Sequence, residues 1–366
     1  MNIHIITQTF PPKIGGMQSL MGGLSNSLLN HGPVKVFTFE NPKADVYDNK
    51  SSMEIERIKG FKLFKKYRIA NLVNNFINEN TNIRAVITDH WKSLELLNEK
   101  YLNKTKTFCL LHSKEINHEI GSSLNKRVVK STNKANFIIA NSNFTKNLAI
   151  KVGIDPTKIK IINPGIEKPK IIDDKYKLEA KKIFTNSFPK IITVARLDKR
   201  KGHDKILMVI KNLKNKFPNL KYLSIGDGEE KNNLKKLCSE LSIEENVIFL
   251  QNIEEDLKLA LIETSNLFLM PTRIYKKSVE GFGIAYVEAA SYGVASIGGK
   301  DGGSSDAIEN NKTGLICDGN DLNSIYEAVV DFFKNDKFSK FGIEAKKFSE
   351  NFHWNLVVKK YLKLIN

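Results

Sequence analysis

Cysteine is scarce here. Cys109, Cys238 and Cys317 are the only three in 366 residues, and no CxxC pair occurs. An odd number at such spacing builds neither a disulfide framework nor a zinc site, and points to a reducing cytoplasm. No apolar run reaches the roughly 18 residues a membrane-spanning helix needs. The opening MNIHIITQTFPP has no basic leader and no cleavage site, so it reads as a first strand and not a signal peptide. GxGxxG is missing as well, which removes the dinucleotide fingerprint and with it a nicotinamide-dependent oxidoreductase. Arginine is sparse, 7 against 50 lysines, and there are no internal repeats or low-complexity tracts.

What is present is ordinary in bulk: 41% hydrophobic and 27% charged residues, as in soluble globular proteins. The length suits two domains. The charge is not ordinary. Of the net +17, residues 1–170 carry 26 Lys and Arg against 13 Asp and Glu, while the remainder carries 31 against 27. Lysine-rich composition alone would not load one half so heavily. The field of that half attracts an anionic partner: a membrane surface, an acidic glycan or a nucleic acid.

Short runs rich in Ile, Val and Phe alternate with amphipathic segments. The first half has Ile3–Ile6, Val34–Phe39, Ala85–Thr88, Thr107–Leu111, Phe137–Ala140 and Ile159–Ile162. The second has Ile191–Ala195, Leu220–Ile225, Val247–Leu250, Leu267–Met270 and Val294–Ile297. Ile69, Leu72, Val73, Phe76 and Ile77 share one helix face. Continuous apolar runs suit strands covered on both sides, so the fold class is α/β with parallel sheets. Two sets of runs give two doubly wound domains, joined across the Lys- and Asp-rich stretch Glu167–Ser187. Ligands of such sheets bind at the carboxyl ends of the strands.

Four constellations sit in loops that follow strands. Gly15-Gly16 stands before a helix, where paired glycines let backbone approach an anion; a plain tight turn explains the pair equally well. Arg196-Leu-Asp-Lys-Arg-Lys201-Gly202 offers cations for a diphosphate, or is a solvated charge run. In Glu280-Gly-Phe-Gly-Ile-Ala-Tyr-Val-Glu288, Gly281 and Gly283 flank a helix start with a carboxylate at each end. Packing does not explain two acids on so small and apolar a helix. They suit sugar or ribose hydroxyls, with the amides between them on phosphate. Gly298–Asp306 is a glycine-rich loop with amides for anions, or a mobile turn, and Gly226-Asp227-Gly228 shares that ambiguity.

In this order and spacing the residues resemble the retaining GT-B glycosyltransferases of family 4 over most of the chain. The resemblance includes Gly15-Gly16, His112 after Thr107–Leu111, Ala140–Thr145, Asn163–Ile166, Arg196 with Lys201, and Phe352-His353-Trp354. Its most specific part is EGFGIAYVEAASYGV, with seven residues between Glu280 and Glu288. Ala295 and Ser305-Asp306 depart from the family pattern. The resemblance implies two Rossmann-like domains facing a central cleft: 1–168 facing the acceptor, a linker 169–187, 188–348 binding the nucleotide sugar, and a helix in 349–366 crossing back to the first domain. It implies catalytic roles for Glu280, His112, Arg196 and Lys201. Arg196 and Lys201 would neutralise the diphosphate and Glu288 would bind the ribose. Glu280, with the amides around Gly283 and Ile284, would hold the sugar and phosphate. Gly15, Gly16 and His112 would reach the donor from the first domain on closure. No metal-ligand cluster is visible, and cations with helix N-termini would do the work of a metal. The anomeric configuration would be retained.

The acceptor-facing half is the basic one. Arg57–Arg68 holds six cations, no acids and three aromatics; among them are Lys59, Lys62, Lys65, Lys66 and Arg68. Lys126 and Arg127 form a second cluster. Cations interleaved with aromatics suit an interfacial membrane segment, or a solvated helix edge. The expectation is a cytoplasmic enzyme, peripheral on the inner membrane face, moving a hexosyl group from a UDP- or GDP-sugar to a lipid or lipid-linked saccharide. A soluble transferase acting on a small acceptor is the alternative. A non-catalytic binder of nucleic acid or another anionic surface lacks any recognisable motif, and no nucleic-acid partner is expected.

Overall fold

The computed structural model describes residues 2–80 and 82–366, and of Lys62 and Leu63 only the backbone. The chain divides into two compact units, 1–167 with 353–366, and 168–352.

The first unit holds seven strands: β1 (Asn2–Ile6), β2 (Val34–Phe39), β3 (Glu54–Ile58), β4 (Ile83–Thr88), β5 (Lys106–Leu111), β6 (Phe137–Ala140) and β7 (Ile159–Ile161). All pair in parallel in the order β3-β2-β1-β4-β5-β6-β7. Ile5 of β1 lies between Val36 and Ile87. The central strands are buried on both faces, which is why their sequences are unbroken apolar runs. The last helix, Trp354–Ile365, belongs to this unit. It buries Trp354, Val357, Val358, Tyr361 and Ile365, and the Trp354 amide donates to the Ile166 carbonyl at 3.1 Å. The Trp354 indole lies against Gly23 of the Gly16–Leu29 helix, where a Cβ would come within 2.2 Å of it. Only glycine admits that approach.

The second unit holds β8 (Lys190–Val194), β9 (Lys221–Ile225), β10 (Val247–Leu250), β11 (Leu267–Met270), β12 (Ser296–Gly299) and β13 (Gly314–Cys317), parallel in the order β10-β9-β8-β11-β12-β13. The His203–Lys216 helix buries Ile206, Leu207, Ile210 and Leu213 against this sheet, the stripe of a helix with one wet face.

Two expected boundaries move. The stretch 169–187 is not an open linker. Asp173 caps a helix over Asp174–Ile183, accepting from the Lys175 amide at 2.9 Å, and Tyr176, Ala180 and Phe184 are buried. Tyr176 hydrogen-bonds Glu254, and Lys170 pairs with Asp256, so the segment is part of the second unit. Its charges are the wet face of an amphipathic helix. The crossing segment also starts later than residue 349, because Phe352 packs its ring on Phe282 and Phe348 of the second unit. Parallel strands put every carboxyl end of a sheet on one edge, and the loops of interest leave from those edges.

Candidate active site

In the second unit the chain leaves β8 into the loop 195–202. Its course is fixed by backbone bonds: the Leu197 amide donates to Asp227 O, and the Glu230 amide to Leu197 O, both at 3.0 Å. His203 braces it from below. Its ring is 1% exposed, within 3.3 Å of the Arg196 carbonyl through Nε2 and 3.1 Å from the Tyr222 hydroxyl through Nδ1. Burial holds His203 down to about 4, so it is a neutral strut that donates to the carbonyl.

The loop tightens into a helical turn, Lys199–Lys201, which aims two cations at one carboxylate. Lys201 Nζ lies 2.5 Å from Glu280 Oε2, and Arg200 donates to the same oxygen. Asp198 sits 3.6 Å from Arg200. The three side chains of the Arg200–Glu280–Lys201 group are 13–16% exposed. Burial pushes the Glu280 carboxyl up, but Lys201 and Arg200 outweigh it and hold it at about 2. Lys201 is drawn below its usual value by burial, against the pull of Glu280. No hydrogen bond reaches Glu280 Oε1 among the described residues, so one oxygen is free to accept. Arg196 is exposed, and among the described residues nothing pairs with its guanidinium.

The helix between the two acids runs over Ile284–Ser291. Gly283 caps it at φ 93°, where a Cβ would meet the Tyr286 ring at 2.4 Å. Tyr286 in turn is buried and donates to Met270 O at 2.6 Å, which pins the helix start to the end of β11. The amides of Ile284 and Ala285 precede the intrahelical ladder and are open to an anion. Glu288 is partly buried two turns along, and no hydrogen bond or ion pair holds its carboxylate among the described residues. Burial raises its pKa, with Lys258 opposing. The glycine-rich loop after β12 is a brace, not a free anion loop. Its Gly303 amide is spent on Glu280 O at 2.9 Å, and Asp301 accepts from the Ile274 amide at 3.1 Å.

The first unit carries the other expected residues on the carboxyl edge of its own sheet. Gly15 precedes the Gly16–Leu29 helix at φ 154°. His112 follows β5; its Nε2 lies 2.9 Å from the Asp89 carbonyl, and its amide donates to Glu115 at 2.6 Å. A carbonyl only accepts, so Nε2 carries the proton and, in the neutral ring, Nδ1 offers a lone pair. Asp89 is a residue that sequence reasoning missed. It is buried, and its carboxylate accepts from Thr7 at 2.8 Å, the Gln8 amide at 2.9 Å and Ser93 at 2.6 Å. One residue thereby ties the segment leading to Gly15 and Gly16 to the loop of His112. Arg200 was missed too, although it stood inside the charge run. Nothing in the sequence separates it from Lys199.

The basic stretch is not uniform. Arg57 is buried in an ion pair with Asp48, with Nε at 2.6 Å, and also holds Pro11 O, so it is a structural cation. Arg68 is turned back onto Lys59 O at 3.1 Å. Arg127 is matched by Glu95 at 2.7 and 3.0 Å and lies over Trp91. Lys59, Lys66 and Lys126 are exposed and Lys65 is partly so; the side chain of Lys62 lies outside the described residues. Among the described residues no three His, Cys, Asp or Glu gather in a way that could hold a metal ion, and no helix is long and apolar enough to cross a membrane.

Two parallel α/β units of seven and six strands make up the GT-B fold. Residues 14–168 match the family model described as Glycosyltransferase Family 4, and residues 174–351 match Glycosyl transferases group 1. The chain belongs to this family, the group 1 glycosyltransferases of family 4. It is 23% identical over 364 residues to the GDP-mannose-dependent alpha-(1-6)-phosphatidylinositol monomannoside mannosyltransferase of Mycolicibacterium smegmatis, covering 96% of this chain and 94% of that one. It is 25% identical over 340 residues to the GDP-mannose-dependent monoacylated alpha-(1-6)-phosphatidylinositol monomannoside mannosyltransferase of Corynebacterium glutamicum, covering 89% and 87%. Among solved structures it is similar to Anabaena Alr3699/HepE in complex with UDP, with a TM-score of 0.82, 17% identity and 99% of each chain covered.

Proposed function

We propose that this glycosyltransferase moves a hexosyl group from a nucleoside-diphosphate sugar to a lipid or lipid-linked saccharide at a membrane surface, with retention at the anomeric carbon. The observation that carries the donor side is the cluster of Arg200, Lys201 and Glu280 beside the unpaired Arg196 and the amides of Ile284 and Ala285. A diphosphate placed there meets fixed positive charge in a site of low exposure, where such charge acts strongly. As the bond from the anomeric carbon to the phosphate oxygen breaks, its electron pair stays on that oxygen, and these cations stabilise it. The acceptor hydroxyl attacks from the same face and gives its proton to the departing phosphate. Arg196, Arg200 and Lys201 supply the positive charge that a divalent ion would otherwise bring, so the reaction is proposed to need none. Glu280 Oε1 accepts from a sugar hydroxyl, and Glu288 accepts from the ribose. His112 is assigned to the sugar side, with Gly15 and Gly16.

The names of the two mannosyltransferases favour a GDP-hexose and a phosphoinositide-type glycolipid; the UDP bound to the Anabaena protein keeps UDP-hexoses in the test. The experiment offers GDP-, UDP- and ADP-sugars with total lipid extract and identifies products by mass spectrometry. One nucleotide series giving a single glycolipid supports the reading. Equal turnover on water-soluble acceptors with no lipid present refutes the acceptor assignment.

A further inference from the structure

The amino edge of the first sheet, opposite the edge that carries His112, holds polar side chains in a layer that is otherwise apolar. His4 of β1, Lys35 of β2 and Glu54 of β3 are register neighbours on adjacent strands. The His4 ring packs between Phe37 and Phe76 and is 5% exposed, and its Nδ1 is buried with no hydrogen-bond partner among the described residues. Burial, then Lys35, holds His4 at about 4, so near pH 7 the neutral ring brings one N–H and one lone pair. The Lys35 side chain is 11% exposed. Its Nζ lies 2.5 Å from Glu54, 3.3 Å from Glu56 and 4.3 Å from the centre of the Phe76 ring. Burying an unpaired imidazole nitrogen and an ammonium between a sheet and a helix is costly, and such local conflict marks a place with another use.

His4, Lys35, Glu54 and Phe76 line a cleft of about 450 Å³, with Glu79 at the end of the Lys62–Glu79 helix and the side chains of Asn2 and Asn82 around it. A volume of that size takes a small ligand. β1 is five residues long, so the cleft lies about 17 Å from the carboxyl edge. Its charge selects what it takes. Among the described residues that line it Lys35 is the one cation, and Glu54 and Glu56 already share it. A phosphate or carboxylate ligand gains little there, although the unit around it is strongly basic. A cationic ligand meets the ammonium of Lys35. The walls instead offer donors and acceptors close together: an ammonium, carboxylates, a neutral imidazole and side-chain amides. That mixture suits an uncharged ligand dense in hydroxyls.

We propose that this cleft is a second saccharide-binding site, apart from the transfer site, in which Lys35 and the two asparagine amides donate to sugar hydroxyls while Glu54 and Glu79 accept from them. It rests on the glycosyltransferase reading only for the choice of sugar. A saccharide held here is too far from the carboxyl edge to react. It tethers a glycan-bearing acceptor or product and raises its local concentration.

The test is NMR of the full chain with labelled isoleucine methyls, because Ile3 and Ile83 also line the cleft. Mannobiose, maltose and N-acetylglucosamine are added in turn up to about 20 mM, the range of weak saccharide binding. At least one should shift the Ile3 and Ile83 methyls, and should do so equally in His112→Ala. Lys35→Met and Glu54→Gln should each weaken that binding about tenfold. Both should keep the parental methyl spectrum and parental turnover on a short, water-soluble acceptor. Spermidine and inorganic phosphate should shift neither methyl. No shift with any of the three sugars, a shift that survives both substitutions, or a stronger response to spermidine or phosphate overturns the proposal. Normal transfer by a protein whose cleft binds no sugar overturns the proposal alone. A sugar bound in the cleft of a protein that transfers none overturns the functional reading and leaves the cleft standing.

Discussion

Replacing Glu280 by Gln separates two jobs that the wild-type carboxylate does at once. Its carboxyl is held at about 2 against an ordinary 4.5. That difference of roughly 2.5 pKa units amounts to about 3 kcal/mol of interaction favouring the ionised, folded form. The folded value is the lower one, so this stability is present above pH 4.5 and is lost as pH falls from there towards 2. Gln keeps the shape and removes the charge, leaving Arg200 and Lys201 facing each other with only Asp198 near. Urea unfolding at pH 7 should therefore show E280Q less stable by roughly 3 kcal/mol. Across the acid window its stability should fall by about that much less than the parent's. Binding should move the other way. If phosphate binds as proposed, Glu280 competes with it for the two cations, so E280Q should bind free nucleoside diphosphate at least as tightly as the parent. A gain of about 1.4 kcal/mol would be tenfold in Kd. Sugar transfer should nonetheless fall by two orders of magnitude or more, since Oε1 no longer accepts as a carboxylate. Calorimetric titration with GDP and UDP, beside initial rates, separates these outcomes. An E280Q protein that loses nucleotide affinity, or one as stable as the parent with the same acid limb, would refute the cluster as an anion site kept neutral by Glu280.

The remaining predictions use the same logic. Arg196→Ala should weaken nucleoside diphosphate binding by about 10- to 100-fold with no change in Tm, because its guanidinium is exposed and unpaired; titration and a thermal shift check both. Asp89→Ala should cost about 3 kcal/mol in urea unfolding, since Thr7, the Gln8 amide and Ser93 lose their shared acceptor. Trp354→Ala should destabilise the protein by about 3–5 kcal/mol, by the cavity it leaves between the last helix and the Gly16–Leu29 helix. Incubation with EDTA should leave the turnover rate unchanged, because the proposed reaction gives the leaving diphosphate to Arg196, Arg200 and Lys201; a rate restored only by added Mg²⁺ would refute this.

The strands were legible wherever burial on both faces made them apolar. β1, β2 and β4 to β12 all fall on the runs named from sequence, within a residue or two at most ends. β3 was not legible. Its Glu54 and Glu56 are charges, but on an edge strand they reach Lys35 of β2, at 3.3 Å for Glu56. β13, Gly314–Cys317, was not named either: only Leu315, Ile316 and Cys317 are apolar there, between Gly314 and Asp318. The helix in 169–187 was hidden because its charged face outnumbers the three residues it buries, Tyr176, Ala180 and Phe184. At the site, glycines and acids announced themselves through types that packing does not explain. Arg200 and Asp89 did not, for opposite reasons. Arg200 stands among identical charges, and only the turn at Lys199–Lys201 selects it. Asp89 is a lone acid after β4 whose partners are 82 residues away in Thr7 and four away in Ser93.

The two carboxylates of the Glu280–Glu288 element are alike in sequence and opposite in state, and that difference assigns them work. Glu280 sits before the helix, with two cations on one oxygen, and is ionised far below neutrality. A group so held cannot serve as a general acid or base near pH 7, because its pKa lies too far from the working pH. It can position, by Oε1, and it can keep Arg200 and Lys201 from drawing in stray anions before a donor arrives. Glu288 lies two turns into the helix, partly buried, with no fixed partner and its pKa raised by burial. A carboxylate left without a hydrogen bond in such a place is costly unless a ligand supplies one, and a vicinal diol supplies two. The helix thus offers at one end a carboxylate with one oxygen held by cations and one open, and at the other an unsatisfied carboxylate, with the open amides of Ile284 and Ala285 between them. A ligand that completes all three needs hydroxyls, then negative charge, then hydroxyls again, which is the order of groups along a nucleoside-diphosphate sugar.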